Sequence, residues 1–357
     1  MEFIKGVDVS MIKELERHGA SYKLNGKEED LFRLLKQCGI NMVRLRIWAD
    51  PYDDSGNSYG GGGNDIQTTI EIAERVVKNG MDFLLDFHYS DFWADPGKQV
   101  KPKAWENLSG IALETAVYLH TINTLKELKN KQLIPKMVQI GNEITNGLLW
   151  PDGHVEQTET MAMLIKAGIR GVREECSNAK IVIHLDFGTD NKMYRKWFDS
   201  IEKYDISFDI IGLSYYPHWN GKLSLLTDNM NDISERYGKD VLIVETSIGY
   251  TTETFGCKGV IYNEEHEILT GYPATQKGQE EFLRELYKAV RNVKYGKGIG
   301  VFYWEPAWLP IKDCTWASKC GCVYMNEKSE PGNAMANMAL FDDKGNANSA
   351  LLNIHTM

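Results

Sequence analysis

NMVRLRIW (41–48), DIQTTIEIAERVVKNG (65–80) and MDFLLDFHYS (81–90) lie in that order along the chain. The first and third are apolar runs rich in branched and aromatic residues, of strand length. The second places apolar residues at helical spacing and closes on Asn-Gly, a helix stop. Apolar strands joined by an amphipathic helix point to a parallel sheet covered on its faces. Outward from this unit the alternation recurs eight times. Strands are predicted over 3–10, 41–48, 81–90, 135–143, 180–188, 208–217, 240–247 and 298–306. Helices such as EEDLFRLLKQCG (28–39), TETMAMLIKAGIRGVREE (158–175) and QKGQEEFLRELYKAVRNV (276–293) lie between them. Eight units in a chain of this length predict an α/β fold of the (β/α)8 TIM barrel type. A doubly wound open sheet would show a glycine fingerprint at its first turn, and GVDVSMIKELERHG (6–19) has none. With no Pro- or Ser-rich linker, residues 1–357 are expected to form a single barrel domain. The run YGGGGN (59–64) lacks the Gly-Lys-Ser/Thr ending of a phosphate cradle and reads as a flexible surface loop.

Composition narrows the partners. The chain has 357 residues, 43% hydrophobic and 25% charged, with a formal net charge of −10. Excess acid disfavours nucleic acid and anionic membrane surfaces, which are bound through clustered Lys and Arg. No apolar run approaches the roughly 20 residues of a membrane helix. The opening MEFIKGVDVS carries no signal-peptide pattern, so the chain is expected to be cytosolic or already trimmed.

In a (β/α)8 barrel the chemistry sits at the carboxyl ends of the strands. Those ends supply Asp8, Arg46, Trp48, Asp86, His88, Asn142, Glu143, His184, Asp186, Tyr215, Tyr216, Glu245, Trp304 and Glu305. Glu143 ends the fourth candidate strand after MVQIGN, and Glu245 ends the seventh after VLIV. These strands face each other across the barrel mouth, so the two carboxyl groups are expected to confront one another. A separation of about 5–5.5 Å suits retaining glycoside hydrolysis, with one residue as nucleophile and the other as acid and base; a wider pair inverts. Arg46 is the expected cation for Glu245, and Tyr216 the expected hydroxyl donor, with Tyr215 competing if strand parity is off by one. Trp93, Trp219, Trp304 and Trp308 are candidate platforms for the apolar face of a pyranose.

The motifs NMVRLRIWADPY (41–52), LLDFHYSDFWADPGKQVKPKAW (84–105), QIGNEITNGLLWPDG (139–153), IGLSYYPHW (211–219), VLIVETSIGY (241–250) and VFYWEPAW (301–308) together resemble glycoside hydrolase family 53. Its members are arabinogalactan endo-β-1,4-galactanases of clan A, and the likeness spans nearly the whole chain. It implies a retaining, endo-acting enzyme for β-1,4-galactan or galacto-oligosaccharides, active as a monomer and requiring no cofactor. Carried onto matching positions, it makes Glu143 the acid and base and Glu245 the nucleophile. Asn142 would bind the 2-hydroxyl, and His88, Asp91 and Asp186 would contact the sugar or support that set. Other clan A activities, β-mannanase or cellulase, and a non-catalytic sugar-binding barrel are the competing expectations.

The chain departs from the family in one region. Many bacterial members hold calcium on the loop after the seventh strand, but YTTETFGCKGVIYNEEHEILTGYP (250–273) lacks the spaced Asp ligands, so no metal site is expected there. Cys257 lies in this loop, and Cys314, Cys320 and Cys322 in the loop after the eighth strand. The two loops are expected to be neighbours, and a disulfide between them would form in an oxidising setting. Cys38 and Cys176 read as buried thiols.

Overall fold

The computed structural model describes residues 2–357. Eight parallel strands close into a barrel: β1 (Ile4–Asp8), β2 (Met42–Ile47), β3 (Asp82–Phe87), β4 (Met137–Ile140), β5 (Lys180–Leu185), β6 (Ile210–Ser214), β7 (Asp240–Glu245) and β8 (Gly298–Trp304), with β8 paired to β1. All eight predicted strands are present, each a residue or more shorter than its apolar run. The helices that cover them are α1 (Leu31–Cys38), α2 (Ile66–Lys78), α3 (Gly110–Asn130), α4 (Thr158–Glu175), α5 (Asn191–Glu202), α6 (Leu223–Tyr237), α7 (Gln276–Arg291) and α8 (Ser349–Leu352). The eighth unit departs from the pattern: α8 is a single turn, and a long irregular excursion after β8 precedes it. Helix α1 shows how the ends are set. The Asp30 carboxylate accepts from the Arg33 N–H, and Gly39 takes φ 100° to close the last turn. Among the described residues no helix is long and apolar enough to cross a membrane.

Side chains alternate along a strand, so every second residue points into the lumen. The floor of the lumen is a separate apolar cluster of Ile4, Met42, Leu84, Met137, Val182, Ile210, Leu242, Val244 and Phe302. Two residues further along the same strands the character changes. Met42 gives way to Arg44 and then Arg46, Leu84 to Asp86, Met137 to Gln139, and Val182 to His184 and then Asp186. An apolar plug thus carries a buried polar layer. On β7 the register against β6 slips between Leu213 and Ser214, so that Ser214 pairs with Glu245. The slip turns Glu245 to the lumen directly after lumen-facing Val244.

The glycine run is not a flexible surface loop. Tyr59, Gly60, Gly61 and Gly62 are buried, and the Arg46 guanidinium donates to the Gly61 carbonyl at 2.9 Å. At Gly61 φ is 62°, and a Cβ would come within 2.8 Å of the Trp316 carbonyl and 3.1 Å of the Trp48 and Trp93 rings. Glycine is required by close packing as well as by backbone sign. The loops after β7 and β8 are neighbours, the Asn333 N–H donating to the Lys258 carbonyl at 2.9 Å. The crosslink that an oxidising setting would allow between them is not formed, and all six cysteines are free thiols.

Candidate active site

A cleft of about 440 Å³ opens at the carboxyl ends of the strands. Its centre is the pair Glu143 and Glu245, which approach within 4.8 Å through one carboxylate oxygen each, with a His184 nitrogen in the same group. That approach is near the ~5–5.5 Å of a retaining pair and well short of the ~6.5–9.5 Å that leaves room for an inverting water. Both His184 nitrogens are already engaged. Nε2 meets the Ser214 hydroxyl at 2.8 Å, and Nδ1 faces Asn142, Gln139 and the Glu143 N–H. This histidine therefore braces the pair from behind.

The two glutamates have different partners. Glu245 is 6% exposed. It receives the Arg44 guanidinium at 2.9 Å on Oε1 and the Tyr216 hydroxyl at 2.8 Å on Oε2. Glu143 receives only the Ser214 hydroxyl, at 2.6 Å on Oε1. Burial pushes both carboxyls up. Glu143 lies well above the usual range, with Glu245 and Asp186 adding to the effect. Glu245 is pushed up to about 7, with Arg44 and Tyr216 pulling it back. Of the two, Glu143 keeps its proton, because it faces anions without a cation of its own. It also stands at φ 46°, a left-handed conformation shared by the strand-end residues Tyr89, Phe187 and Glu305. Such strain in non-glycine residues gathers at functional sites.

The cation beside Glu245 is Arg44, a correction to the expected Arg46. Both face the lumen from β2, but Arg44 sits one layer lower. Its guanidinium, 1% exposed, bridges Asp8, Asp86 and Glu245, each at 2.9 Å. Arg46 pairs with Glu305 at 2.6 Å and lies under the Trp93 ring, 4.4 Å from its centroid. It lines the cleft and supports that wall. Tyr216 is the donor to Glu245, whereas the Tyr215 hydroxyl turns away to the Gly221 carbonyl.

Asn142 is held at both ends. Its carbonyl accepts from Arg44 at 2.8 Å and its amide donates to the Ala94 carbonyl at 2.8 Å. Its second amide hydrogen has no protein partner among the described residues, and the side chain lines the cleft. His88 accepts the Ala94 N–H on Nδ1 at 3.0 Å, so Nε2 carries the hydrogen and meets Asp86 at 3.1 Å. Its ring lines the cleft while it steadies the carboxylates beneath Arg44. Asp186 lines the cleft and is paired with the Thr145 hydroxyl; burial raises its carboxyl to about 6.

Asp91 lies away from the cleft. It is buried, accepts the Lys103 N–H at 2.8 Å, and has no partner for Oδ1. It organises the loop after β3, because the turn that presents Trp93 points Asp91 the other way. Trp93, Trp304 and Trp219 all line the cleft. Trp93 lies 6.3 Å from Trp304, which lies 6.2 Å from Trp308. Trp308 also borders the cleft, at its floor behind Trp304, where it is fully buried and donates to the Cys314 carbonyl.

The sequence reading passed over Arg44, Ser214, Gln139, Phe187 and Trp316. The first three have a usable signal, since each stands two residues beyond a lumen-facing position on its strand. Trp316 has none. It lies in the irregular segment after β8, where its carbonyl accepts from the Trp93 indole at 2.8 Å.

A family model described as glycosyl hydrolase family 53 matches residues 4–354. An endo-β-1,4-galactanase of Bacillus subtilis (strain 168) is 41% identical over 364 residues, covering 96% of this chain and 83% of that protein. An arabinogalactan endo-β-1,4-galactanase A of Aspergillus niger is 34% identical over 314 residues, covering 85% of each. The solved GH53 catalytic domain of Ignisphaera aggregans superposes with a TM-score of 0.92 at 38% identity, over 99% of this chain and 95% of that one.

Proposed function

The chain belongs to glycosyl hydrolase family 53, and on that premise we propose that it is an endo-acting β-1,4-galactanase working with retention of configuration on type I arabinogalactan. The observation that carries the mechanism is the close pair with unequal partners: Glu143 and Glu245 within 4.8 Å of each other, and Arg44 on Glu245 alone.

Glu245 attacks C1 of the sugar at the scissile bond. The C1–O bond to the leaving chain breaks as the ester to Glu245 forms, and Glu143 gives its proton to the departing oxygen. Ser214 occupies Oε1 of Glu143 as a donor, so the transferred proton sits on Oε2. In the second half, Glu143 takes a proton from water, which attacks C1 and releases Glu245. Arg44 and Tyr216 hold the nucleophile ionised, and the spare Asn142 amide hydrogen meets the 2-hydroxyl as charge develops on the ring. The steps are complete with these side chains, and none is assigned to a metal.

The test is proton NMR of the first product from linear β-1,4-galactan, with β-mannan and cellulose as alternative substrates. The β-anomer from galactan is expected first, with internal cleavage. An α-anomer would overturn the mechanism, and activity confined to mannan or cellulose would overturn the substrate.

A further inference from the structure

We propose that His184 is a positioning residue for Glu143: its Nε2–H holds the Ser214 oxygen, so that the one hydroxyl hydrogen of Ser214 stays committed to Oε1 of Glu143. The inference rests on the roles given above to Glu143 and Glu245, and deepens them.

The three side chains form one line of hydrogen bonds from β5 through β6 to the end of β4. His184 is fully buried and Ser214 is 2% exposed. Nε2 of His184 lies 2.8 Å from the Ser214 hydroxyl, which donates to Oε1 of Glu143 at 2.6 Å. A hydroxyl has a single hydrogen. Once it is given to Glu143, the Ser214 oxygen can only accept from His184, and the imidazole must carry its hydrogen on Nε2.

The other tautomer has a claim of its own. Nδ1 sits 3.0 Å from Oδ1 of Asn142, an acceptor that a hydrogen on Nδ1 would serve. That tautomer leaves Nε2 bare and draws the Ser214 hydrogen away from Glu143. Two oxygens would then face each other at 2.6 Å with no hydrogen between them whenever Glu143 is ionised, as it is when it acts as base. Asn142 has less need, since Arg44 already donates to its Oδ1 at 2.8 Å. A bare Nδ1 accepts the Glu143 N–H at 3.4 Å and faces the Gln139 amide at 3.2 Å. A charged ring would serve both sides, but burial, Arg44 on β2 and His88 after β3 hold the imidazole well below its usual range. His184 is therefore a neutral donor of fixed direction.

The consequence for Glu143 has a sign. Burial raises its carboxyl, and Glu245 on β7, Asp186 after β5 and Asp95 after β3 add to the effect, while the Ser214 hydroxyl opposes it. The neutral hydroxyls of Tyr216 after β6 and Tyr194 on α5 complete its surroundings. A donor aimed at the ionised carboxyl favours that form. With the His184 hold removed, the Ser214 hydroxyl is free to turn, and Glu143 keeps its proton more tightly and in a less fixed direction.

The test sets His184→Asn, which keeps a nitrogen only near the Nδ1 position, against His184→Gln, which places an amide near Nε2. Ser214→Ala removes the link itself. Each is assayed on linear β-1,4-galactan from pH 4 to 9 and on 2,4-dinitrophenyl β-galactobioside, whose leaving group needs no proton. For His184→Asn and Ser214→Ala we expect kcat/KM on galactan to fall about 10-fold and its basic limb to move up by about 1 pH unit. On the aryl substrate kcat/KM should stay within about 2-fold of the parent, while kcat and KM fall together because only the base-assisted second half is slowed. His184→Gln should keep most of the activity on galactan. Nitrogen-15 spectra of the parent, with the His184 ring assigned by its loss in His184→Gln, should show a neutral ring with the hydrogen on Nε2. A hydrogen on Nδ1 would overturn the proposal, as would equal loss on both substrates or equal behaviour of the Asn and Gln variants. Failure of the underlying roles is read separately. Glu143→Ala with the same aryl donor and sodium azide should give the β-galactobiosyl azide; no azide product, or the α-anomer, would overturn the reading of Glu143 whatever the His184 variants do.

Discussion

Replacing Arg44 by Met is the sharpest test of the buried charge layer. The guanidinium is 1% exposed and touches Asp8, Asp86 and Glu245, each at 2.9 Å. At an effective dielectric of about 20, one such contact is worth about 6 kcal/mol before any response of the surroundings. The surroundings respond by relaxation and entry of water, which relieve part of the loss at Glu245. A carboxylate beside an arginine is held down by roughly 1–3 pK units, at 1.36 kcal/mol per unit. The sign follows from the mechanism. Glu245 must be ionised to attack, so the acid limb of kcat/KM follows its titration. Removing the cation raises that carboxyl further, and the limb should move to higher pH by about 1–3 units. Breaking a buried ionic cluster costs about 3–5 kcal/mol, or about 6–10 °C in Tm at about 2 °C per kcal/mol. Arg44→Lys, which keeps the charge but has a single ammonium for three carboxylates, should fall between. The assay is kcat/KM on galactan from pH 4 to 9 with melting curves over the same range. A folded Arg44→Met protein whose acid limb stays in place would refute the claim that Arg44 keeps the nucleophile ionised.

Asp91 gives a test of opposite sign. Burial raises its carboxyl to about 6 from 3.8. The stability linked to its protonated form is therefore fully present below the unfolded value and is lost as pH rises through about 6, by up to about 3 kcal/mol. Asp91→Asn escapes this loss; its Tm should exceed the parent's at pH 8 and approach it at pH 4, with KM unchanged. A raised KM would return Asp91 to the substrate site. Gly61→Ala forces a side chain onto a backbone at φ 62° and against the Trp316 carbonyl, at about 1–3 kcal/mol. It should lower Tm and raise KM by displacing the Trp93 wall, and a parental KM would show that the loop does not set that wall. Dialysis against EDTA followed by calcium should change neither rate nor melting, because 250–273 lacks the spaced Asp ligands; a rise of several degrees on calcium would reveal a cation site.

The fold was legible because an apolar strand and an amphipathic helix have different periods, and the alternation survives even where helices vary in length. What escaped was depth. On MVRLRI, residues 44 and 46 have the same parity, so the sequence points both into the lumen without saying which layer meets β7. Strand tilt and the register slip opposite Glu245 decide that, and neither is written in β2. Asp91 escaped for the reverse reason: HYSDFWADP turns sharply after its strand, and a turn rotates neighbours apart in ways no period describes. The glycine run misled because many glycines signal either freedom or close packing, and only the neighbours Trp48, Trp93 and Trp316 distinguish the two.

The lumen also explains why this barrel can keep a protonated acid beside an ionised one. Asp8, Asp86, Glu143, Asp186, Glu245 and Glu305 share it with two guanidiniums, Arg44 and Arg46. Arg46 is committed to Glu305 and Arg44 is divided among Asp8, Asp86 and Glu245, which leaves Glu143 with neither and with Asp186 as a further anion beside it. Six carboxyls and two cations cannot all ionise at acceptable cost. The deficit falls on the group with the weakest claim to a cation, the one to which the proposed mechanism gives the protonation of the leaving oxygen. In that mechanism, when Glu245 becomes an ester, one negative charge leaves the lumen, and the potential holding the proton on Glu143 weakens as that proton departs. The same change prepares Glu143 to act as a base in the second half, so acid and base roles alternate through the charge on Glu245 without any movement of the backbone.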